Sequence, residues 1–122
     1  MTFYSEFSSY YETVFPFREP VLQFLDQWLP GTGRILDLGC GTGAYCGHLA
    51  SADRPCLGVD LDPEMIRQAR KRYSSGEFEV LGLEAIATLP AAGFSGVYCI
   101  GNVLPHLGPG QLPEFLSNLQ SL

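Results

Sequence analysis

The stretch Ile35-Leu36-Asp37-Leu38-Gly39-Cys40-Gly41-Thr42-Gly43 decides the fold of this 122-residue chain. Its apolar first part, residues 34–38, predicts a buried strand, and the three glycines predict a loop that turns sharply and lets a ligand approach the backbone. The residues that follow, 44–50, predict a helix whose first N–H groups face the same ligand. This order of strand, glycine loop and helix is typical of a site for a nucleotide-like cofactor.

The spacing of the glycines narrows the kind of cofactor. Dinucleotide-binding loops have the pattern G-x-G-x-x-G, whereas this loop has G-x-G-x-G, so a pyrophosphate cradle is not favoured. The run Cys56-Leu57-Gly58-Val59-Asp60 predicts a second strand that ends in an acid, 17 residues after Gly43. In a βαβ unit this spacing places Asp60 at the carboxyl end of the neighbouring strand, where it can accept both hydroxyls of a ribose.

The segment Leu36–Gly43 resembles the first motif of the class I S-adenosylmethionine (SAM)-dependent methyltransferases. Residues 99–107, Cys-Ile-Gly-Asn-Val-Leu-Pro-His-Leu, resemble the segment after the fourth strand in the group related to the glycine and sarcosine N-methyltransferases. The resemblance covers essentially the whole chain. It implies an α/β, Rossmann-like fold with a parallel sheet of order 3-2-1-4 flanked by helices. It also implies SAM as methyl donor and S-adenosylhomocysteine (SAH) as product.

The alternation of apolar patterns along the chain also predicts a parallel sheet with right-handed crossovers. A helix with Pro20 in its first turn, ended by Pro30-Gly31, is expected to bury Val21, Phe24, Leu25 and Trp28. The other predicted elements are helices over 3–14, 43–51, 63–73 (capped by Asp62) and 112–122, and strands over 34–38, 55–60, 77–81 and 96–100.

We expect a single domain over 1–122, with a helical lid over 1–30 and an α/β core over 31–122. The family's later strands do not follow in this chain, so the core is expected to be incomplete. That leaves the fourth strand as an apolar edge, and such an edge favours pairing with a second copy of the chain.

The resemblance implies a contact for each part of SAM. The glycine backbone suits the methionyl and ribose portions, and Asp37 either meets the methionyl ammonium through water or only caps the loop. Tyrosines of the N-terminal helix resemble the family's lid and favour cation–π attraction to the sulfonium. The predicted cofactor contacts are Asp37, Gly39, Cys40, Gly41, Gly43, Asp60, Leu61, Met65, Leu83, Glu84, Gly101, Tyr4 and Tyr11.

Two further predictions concern the segment after strand 3, which departs from the family pattern, and the catalytic residues after strand 4. Many members have Gly-Asp after strand 3 to bind the adenine amino group, and this chain has Gly82-Leu83, so Glu84 is either the substitute or a surface residue. The predicted catalytic residues are Asn102, which orients the acceptor, and His106, which either takes its proton or closes the pocket wall. A dedicated base is optional, because positioning supplies most of the catalysis in direct methyl transfer.

Composition excludes several other classes of protein. The net charge of −6, from 13 acids against 7 basic residues, leaves no broad basic face for nucleic acid. The sequence has no apolar run of the ~20 residues that cross a membrane. Its four cysteines form no C-x-x-C pair, which indicates buried thiols in a reducing compartment such as the cytoplasm. Its two histidines lack neighbours at ligand spacing, so no metal site is predicted.

The sequence therefore predicts an enzyme that moves a methyl group from SAM to a small-molecule acceptor. Two alternatives stay open at this point. One is a SAM-binding module, or a truncated fragment, that binds the cofactor without turnover. The other is a nicotinamide-dependent oxidoreductase, which uses the same strand, loop and acid but is disfavoured by the glycine spacing.

Overall fold

The computed structural model describes residues 16–89 and 93–100. The predictions of helices over 3–14 and 112–122 lie outside the described residues. The predicted α/β alternation is confirmed, with most boundaries shorter by one or two residues. In chain order the elements are α1 (Glu19–Trp28), β1 (Ile35–Leu38), α2 (Ala44–Leu49), β2 (Cys56–Asp60), α3 (Pro63–Arg72), β3 (Glu77–Val80), a 3₁₀ helix (Leu83–Thr88) and β4 (Gly96–Tyr98).

The four described strands form one parallel sheet of order β3-β2-β1-β4, as predicted. Strands β2 and β3 extend the sheet to one side of β1, and the chain then returns so that β4 pairs on the other side. Asp37 of β1 is the register partner of Gly58 in β2 and of Tyr98 in β4. A change of direction of this kind opens a crevice at the carboxyl ends of the strands, which is where open α/β sheets bind ligands.

Apolar side chains cover both faces of the sheet. All four residues of β1 are buried, which is expected of a central parallel strand with helices or loops on each side. One face packs Ile35, Cys56, Phe78 and Tyr98 against α1, α2 and α3. The other face packs Leu36, Leu38, Leu57 and Val59 against Ile86 and Leu89.

Helix α1 differs from its prediction in the face that it buries. Leu25 is buried and Val21 is partly buried, as predicted, but Phe24 is 59% and Trp28 is 70% exposed. The reason is that the helix directs Val21, Leu22 and Leu25 toward the sheet. Because successive residues of a helix are about 100° apart, Phe24 and Trp28 lie to one side of the face formed by these three residues. Their ring centroids are 6.1 Å apart. The prediction of a buried face through Phe24 and Trp28 was therefore wrong.

Helix α3 begins as predicted, directly after β2. The Asp62 carboxylate accepts a hydrogen bond from the Glu64 backbone N–H at 2.9 Å, and Pro63 occupies the first helical position. A carboxylate acceptor and a proline are both favoured at a helix start. This cap fixes the direction of the chain immediately after Asp60.

The cysteines are buried at three of the four positions. Cys40, Cys46 and Cys56 are buried as predicted, whereas Cys99 is exposed because it follows the last residue of β4. The hydrogen bond with Cys56, together with burial, raises the pKa of the Cys46 thiol, and burial raises the pKa of the Cys40 thiol. These core thiols are therefore protonated and unreactive.

Across residues 16–89 and 93–100, none of the helices combines the length and the apolar character needed to cross a membrane.

Candidate functional site

The glycine loop after β1 is built on left-handed backbone conformations. Gly39, Gly41 and Gly43 have φ values of 70°, 57° and 85°, a region that other residues enter only at a cost in energy. The Gly43 N–H donates to the Cys40 carbonyl at 3.0 Å, which closes the turn, and the Cys40 N–H donates to the Val59 carbonyl of β2 at 2.9 Å. The loop therefore stays joined to β2 at the sheet edge, with Gly39 half-buried and residues 40–43 buried.

Gly43 has a second constraint besides its conformation. A Cβ at this position would lie 2.7 Å from Cε1 of the Phe78 ring and 2.9 Å from the Ala69 Cβ. We expect Gly43→Ala to lower the free energy of unfolding by roughly 1–3 kcal/mol, because it adds backbone strain to a crowded contact. Urea denaturation measures this, and the control is Gly31→Ala, whose added Cβ meets no atom within 4 Å. Equal stability of the two variants would contradict the packing argument.

The carboxylate of Asp60 joins the loop to the start of α3. Its Oδ2 accepts the Gly41 backbone N–H at 2.9 Å, and its Oδ1 accepts the Asp62 backbone N–H at 3.0 Å. A carboxylate has about four acceptor positions, more than these two hydrogen bonds use. Asp60 is half-buried, and the next residue, Leu61, is 63% exposed. A charged acceptor thus lies beside an apolar surface at the end of β2.

A second carboxylate, that of Asp37, lies at the end of β1. The Tyr98 hydroxyl donates to its Oδ2 at 2.9 Å, and both residues are buried. Burial raises the pKa of Asp37 to about 7, with a further rise from the nearby Asp60 charge and an opposing effect of the Tyr98 hydrogen bond. Burial also raises the pKa of the Tyr98 phenol, so it stays protonated and acts as the donor. Asp37 therefore changes charge close to neutral pH.

This arrangement can hold an uncharged polyol at Asp60 and a cation near Asp37. The glycine loop follows Asp37 and is bonded to Asp60 through the Gly41 N–H, and the exposed Leu61 adds an apolar surface. Within the described part of the chain, no group of three or more His, Cys, Asp or Glu residues could hold a metal ion. Two carboxylates, a glycine loop and an exposed apolar residue are the groups that a nucleoside with a charged tail requires.

The model of a family described as "Methyltransferase domain" matches residues 35–122. The match begins at the first residue of β1 and includes the glycine loop, Asp37 and Asp60. The chain belongs to the methyltransferase domain family.

Individual methyltransferases show the same relationship. An uncharacterized methyltransferase of Mycobacterium tuberculosis is 36% identical over 84 residues, which cover 67% of this chain and 42% of that protein. The structure of magnesium protoporphyrin IX methyltransferase from Synechocystis, with bound SAM, matches with a TM-score of 0.63 and 27% identity over 85% of this chain and 51% of that one.

A TehB-like SAM-dependent methyltransferase of Corynebacterium glutamicum matches with a TM-score of 0.72 over 90% of this chain and 60% of that one. Its identity is 24%, so it supports the fold alone. This chain spans about two fifths of the length of the mycobacterial relative and about a quarter of a putative methyltransferase of Bacillus subtilis that is 42% identical over 59 residues, 43% of this chain.

The structure brings together only part of the predicted site of this methyltransferase domain. Asp37, Asp60, Leu61 and the glycine loop with Cys40 converge at the carboxyl ends of β1 and β2. Met65 is 1% exposed, so it offers almost no surface for the predicted contact with adenine. Leu83 and Glu84 begin the 3₁₀ helix after β3, and their roles stay predictions. The predicted residues Gly101, Asn102, His106, Tyr4 and Tyr11 lie outside the described residues.

The sequence did not predict Tyr98 as a site residue, and it did not predict that Asp60 accepts a hydrogen bond from the Gly41 N–H. A signal for Tyr98 is present in the sequence, since it is a phenol in a strand that is otherwise apolar, and a buried phenol needs a hydrogen-bond partner. The contact between Asp60 and the Gly41 N–H has no comparable signal, because it depends on how the loop folds over β2.

Proposed function

We propose that this chain is part of a SAM-dependent methyltransferase that transfers the donor's methyl group to a small-molecule acceptor. The observation that carries the proposal is the bond between the Gly41 N–H and Asp60 Oδ2 at 2.9 Å. It sets a charged ribose acceptor against a left-handed glycine loop, with an exposed apolar residue beside it. Family membership and the SAM-bound Synechocystis relative support the same proposal.

The residues present fit the parts of SAM. The Asp60 carboxylate would accept the two ribose hydroxyls, and the exposed Leu61 would offer an apolar surface to adenine. Gly39 and Gly41 adopt positive φ values, and as glycines they place no Cβ between a ligand and the loop backbone. Asp37 provides negative charge toward the methionyl ammonium once its proton has left. When bound, SAM supplies a methyl group on a positively charged sulfur.

The work of these residues is to bind and orient. Asp60 would hold the ribose and Asp37 the amino-acid end of SAM, so that the donor is fixed at both ends. Holding both reactants in line contributes up to ~7–11 kcal/mol in favourable cases. A general base adds less when the acceptor proton can leave to solvent, so this function does not require a titrating residue beside the methyl group.

Calorimetric titration with SAH and with NAD tests the proposed function. We expect SAH to bind with a dissociation constant in the micromolar range or below, which corresponds to about −8 kcal/mol, and we expect NAD not to bind. The loop has the G-x-G-x-G spacing and lacks the pattern that cradles a pyrophosphate. Binding of NAD alone would replace this proposal with that of a nicotinamide-dependent oxidoreductase.

Several finer predictions accompany this proposal. The acceptor is expected to be a small molecule oriented by Asn102, and His106 is expected either to take its proton or to close the pocket wall. The residues before position 30 are expected to cover the cofactor. We also propose a cytoplasmic location and pairing of two copies through β4, which lies at one edge of the described sheet. These points stay predictions.

A further inference from the structure

The pair formed by Tyr98 and Asp37 has a feature that packing alone does not explain. The two residues are register partners in neighbouring strands, and a hydrogen bond of 2.9 Å joins their side chains in the interior. Asp37 is 4% and Tyr98 is 8% exposed. A buried carboxyl and a buried phenol both lose hydration on folding, and two apolar residues would pack at these positions without that loss.

The surroundings of Asp37 oppose its negative charge. Burial and the charge of Asp60 both favour the protonated form, and the bond from Tyr98 is what favours the charged form. Among residues 16–89 and 93–100, the other titratable groups that act on the pair are thiols, which carry no positive charge. The facing groups are Asp60 and Cys56 of β2, Cys40 of the loop, Cys46 of α2 and Tyr98 of β4.

The place of this pair in the fold points to a ligand. Asp37 precedes Gly39, the first left-handed glycine of the loop, by two residues. Its neighbour Asp60 is already directed at the loop through Gly41. A carboxylate at this position therefore lies beside the left-handed glycine loop, and a hydrogen bond that sets its orientation also sets what the loop can bind.

We infer that Tyr98 is a positioning residue. Its hydroxyl holds Asp37 Oδ2 and thereby presents Oδ1 to the ammonium of the bound nucleoside. The inference rests on the proposed function and deepens it, because it assigns the selection of the amino-acid tail to one contact between β1 and β4. The site then prefers nucleosides with a charged amino acid at the 5′ position over nucleosides that end in a plain thioether.

The test compares SAH with 5′-methylthioadenosine, which has the same adenosine and sulfur but no amino acid. In Tyr98→Phe the ring remains and the donor is lost, so Asp37 becomes harder to ionise. At pH 7 we expect SAH affinity to fall about ten-fold, as for loss of one hydrogen bond to a charged group, and methylthioadenosine affinity to change less than about two-fold. Between pH 6 and 8, the decline of SAH affinity toward low pH should begin at a higher pH in the variant than in the wild type.

The matched control is Tyr45→Phe in α2, which removes a tyrosine hydroxyl whose partner is the Arg18 backbone N–H, at 3.1 Å, and not a carboxylate. This control should leave the binding and pH profile of both ligands unchanged. A purely structural role for Tyr98 predicts equal weakening of both ligands with no shift in the pH profile, and that result would overturn the inference.

If Tyr98→Phe does not fold, 3-fluorotyrosine is placed at position 98. It is a more acidic and stronger donor, so the SAH pH profile should move to lower pH, and an unmoved profile would also overturn the inference. Failure of the wild type to bind either nucleoside would instead contradict the proposed function.

Discussion

Asp60→Ala is expected to weaken SAH binding by about 100-fold, corresponding to the loss of two hydrogen bonds from hydroxyls to a charged acceptor. The variant also removes the acceptor for the Gly41 and Asp62 N–H groups at 2.9 and 3.0 Å. The glycine loop therefore loses a tether at the same time as the ribose loses its partner. Isothermal titration calorimetry with SAH measures the total effect.

A double-mutant cycle separates these two losses. Wild type and Asp60→Ala are each titrated with SAH and with its 2′-deoxy analogue. If Asp60 binds the ribose hydroxyls, the analogue loses less affinity than SAH when Asp60 is replaced, and the coupling is roughly 1–2 kcal/mol. Equal losses would mean that Asp60 acts only through the loop. The control Glu79→Ala removes one negative charge from an exposed position on β3 and should leave affinity unchanged.

The parts of the fold that the sequence predicts well are those decided by local patterns. Strand β1 is a short apolar run, the loop after it needs glycine, and Asp62 with Pro63 is a strong start signal for α3. Each of these features depends on residues within a few positions of one another. Their structures follow the predictions closely, to within one or two residues at the boundaries.

The failures concern contacts between distant parts of the chain. The exposure of Phe24 and Trp28 depends on how α1 is rotated about its axis when it docks, which the helical pattern of α1 does not determine alone. The bond between Tyr98 and Asp37 joins residues 61 positions apart. It exists because β4 pairs with β1 in one particular register, and a shift by one residue would turn Tyr98 to the opposite face of the sheet.

The same distinction holds within the candidate site. Asp37 and Asp60 follow from sequence, because acids at the carboxyl ends of parallel strands converge on one crevice. Their electrostatic states do not, since these depend on burial and on the groups that the fold brings near. Asp37 holds its proton near neutral pH only because the assembled sheet buries it.

Asp37→Asn is expected to stabilise the domain at pH 8 and to stabilise it by less than half as much at pH 5. Burial raises the pKa of Asp37 from 3.8 to about 7, while the unfolded chain keeps the ordinary value. Between these two values the unfolded state releases the proton and the folded state retains it. The unfolded state then binds fewer protons, so the free energy of unfolding decreases as pH rises through this window and levels off above about pH 7.

The difference between these two pKa values corresponds to a loss of about 4 kcal/mol in the free energy of unfolding once Asp37 is ionised in both states. Asparagine removes the titration but still offers Tyr98 an oxygen acceptor, so the loss with rising pH should be absent in the variant. Urea denaturation at pH 5 and pH 8 measures it, with Asp53→Asn at an exposed position as the matched control. The same variant should bind SAH more weakly, because the amide cannot neutralise an ammonium. An equal gain in the free energy of unfolding at both pH values would show that ionisation of Asp37 does not destabilise the fold. It would then contradict the idea that this charge is kept for a ligand at a cost in stability.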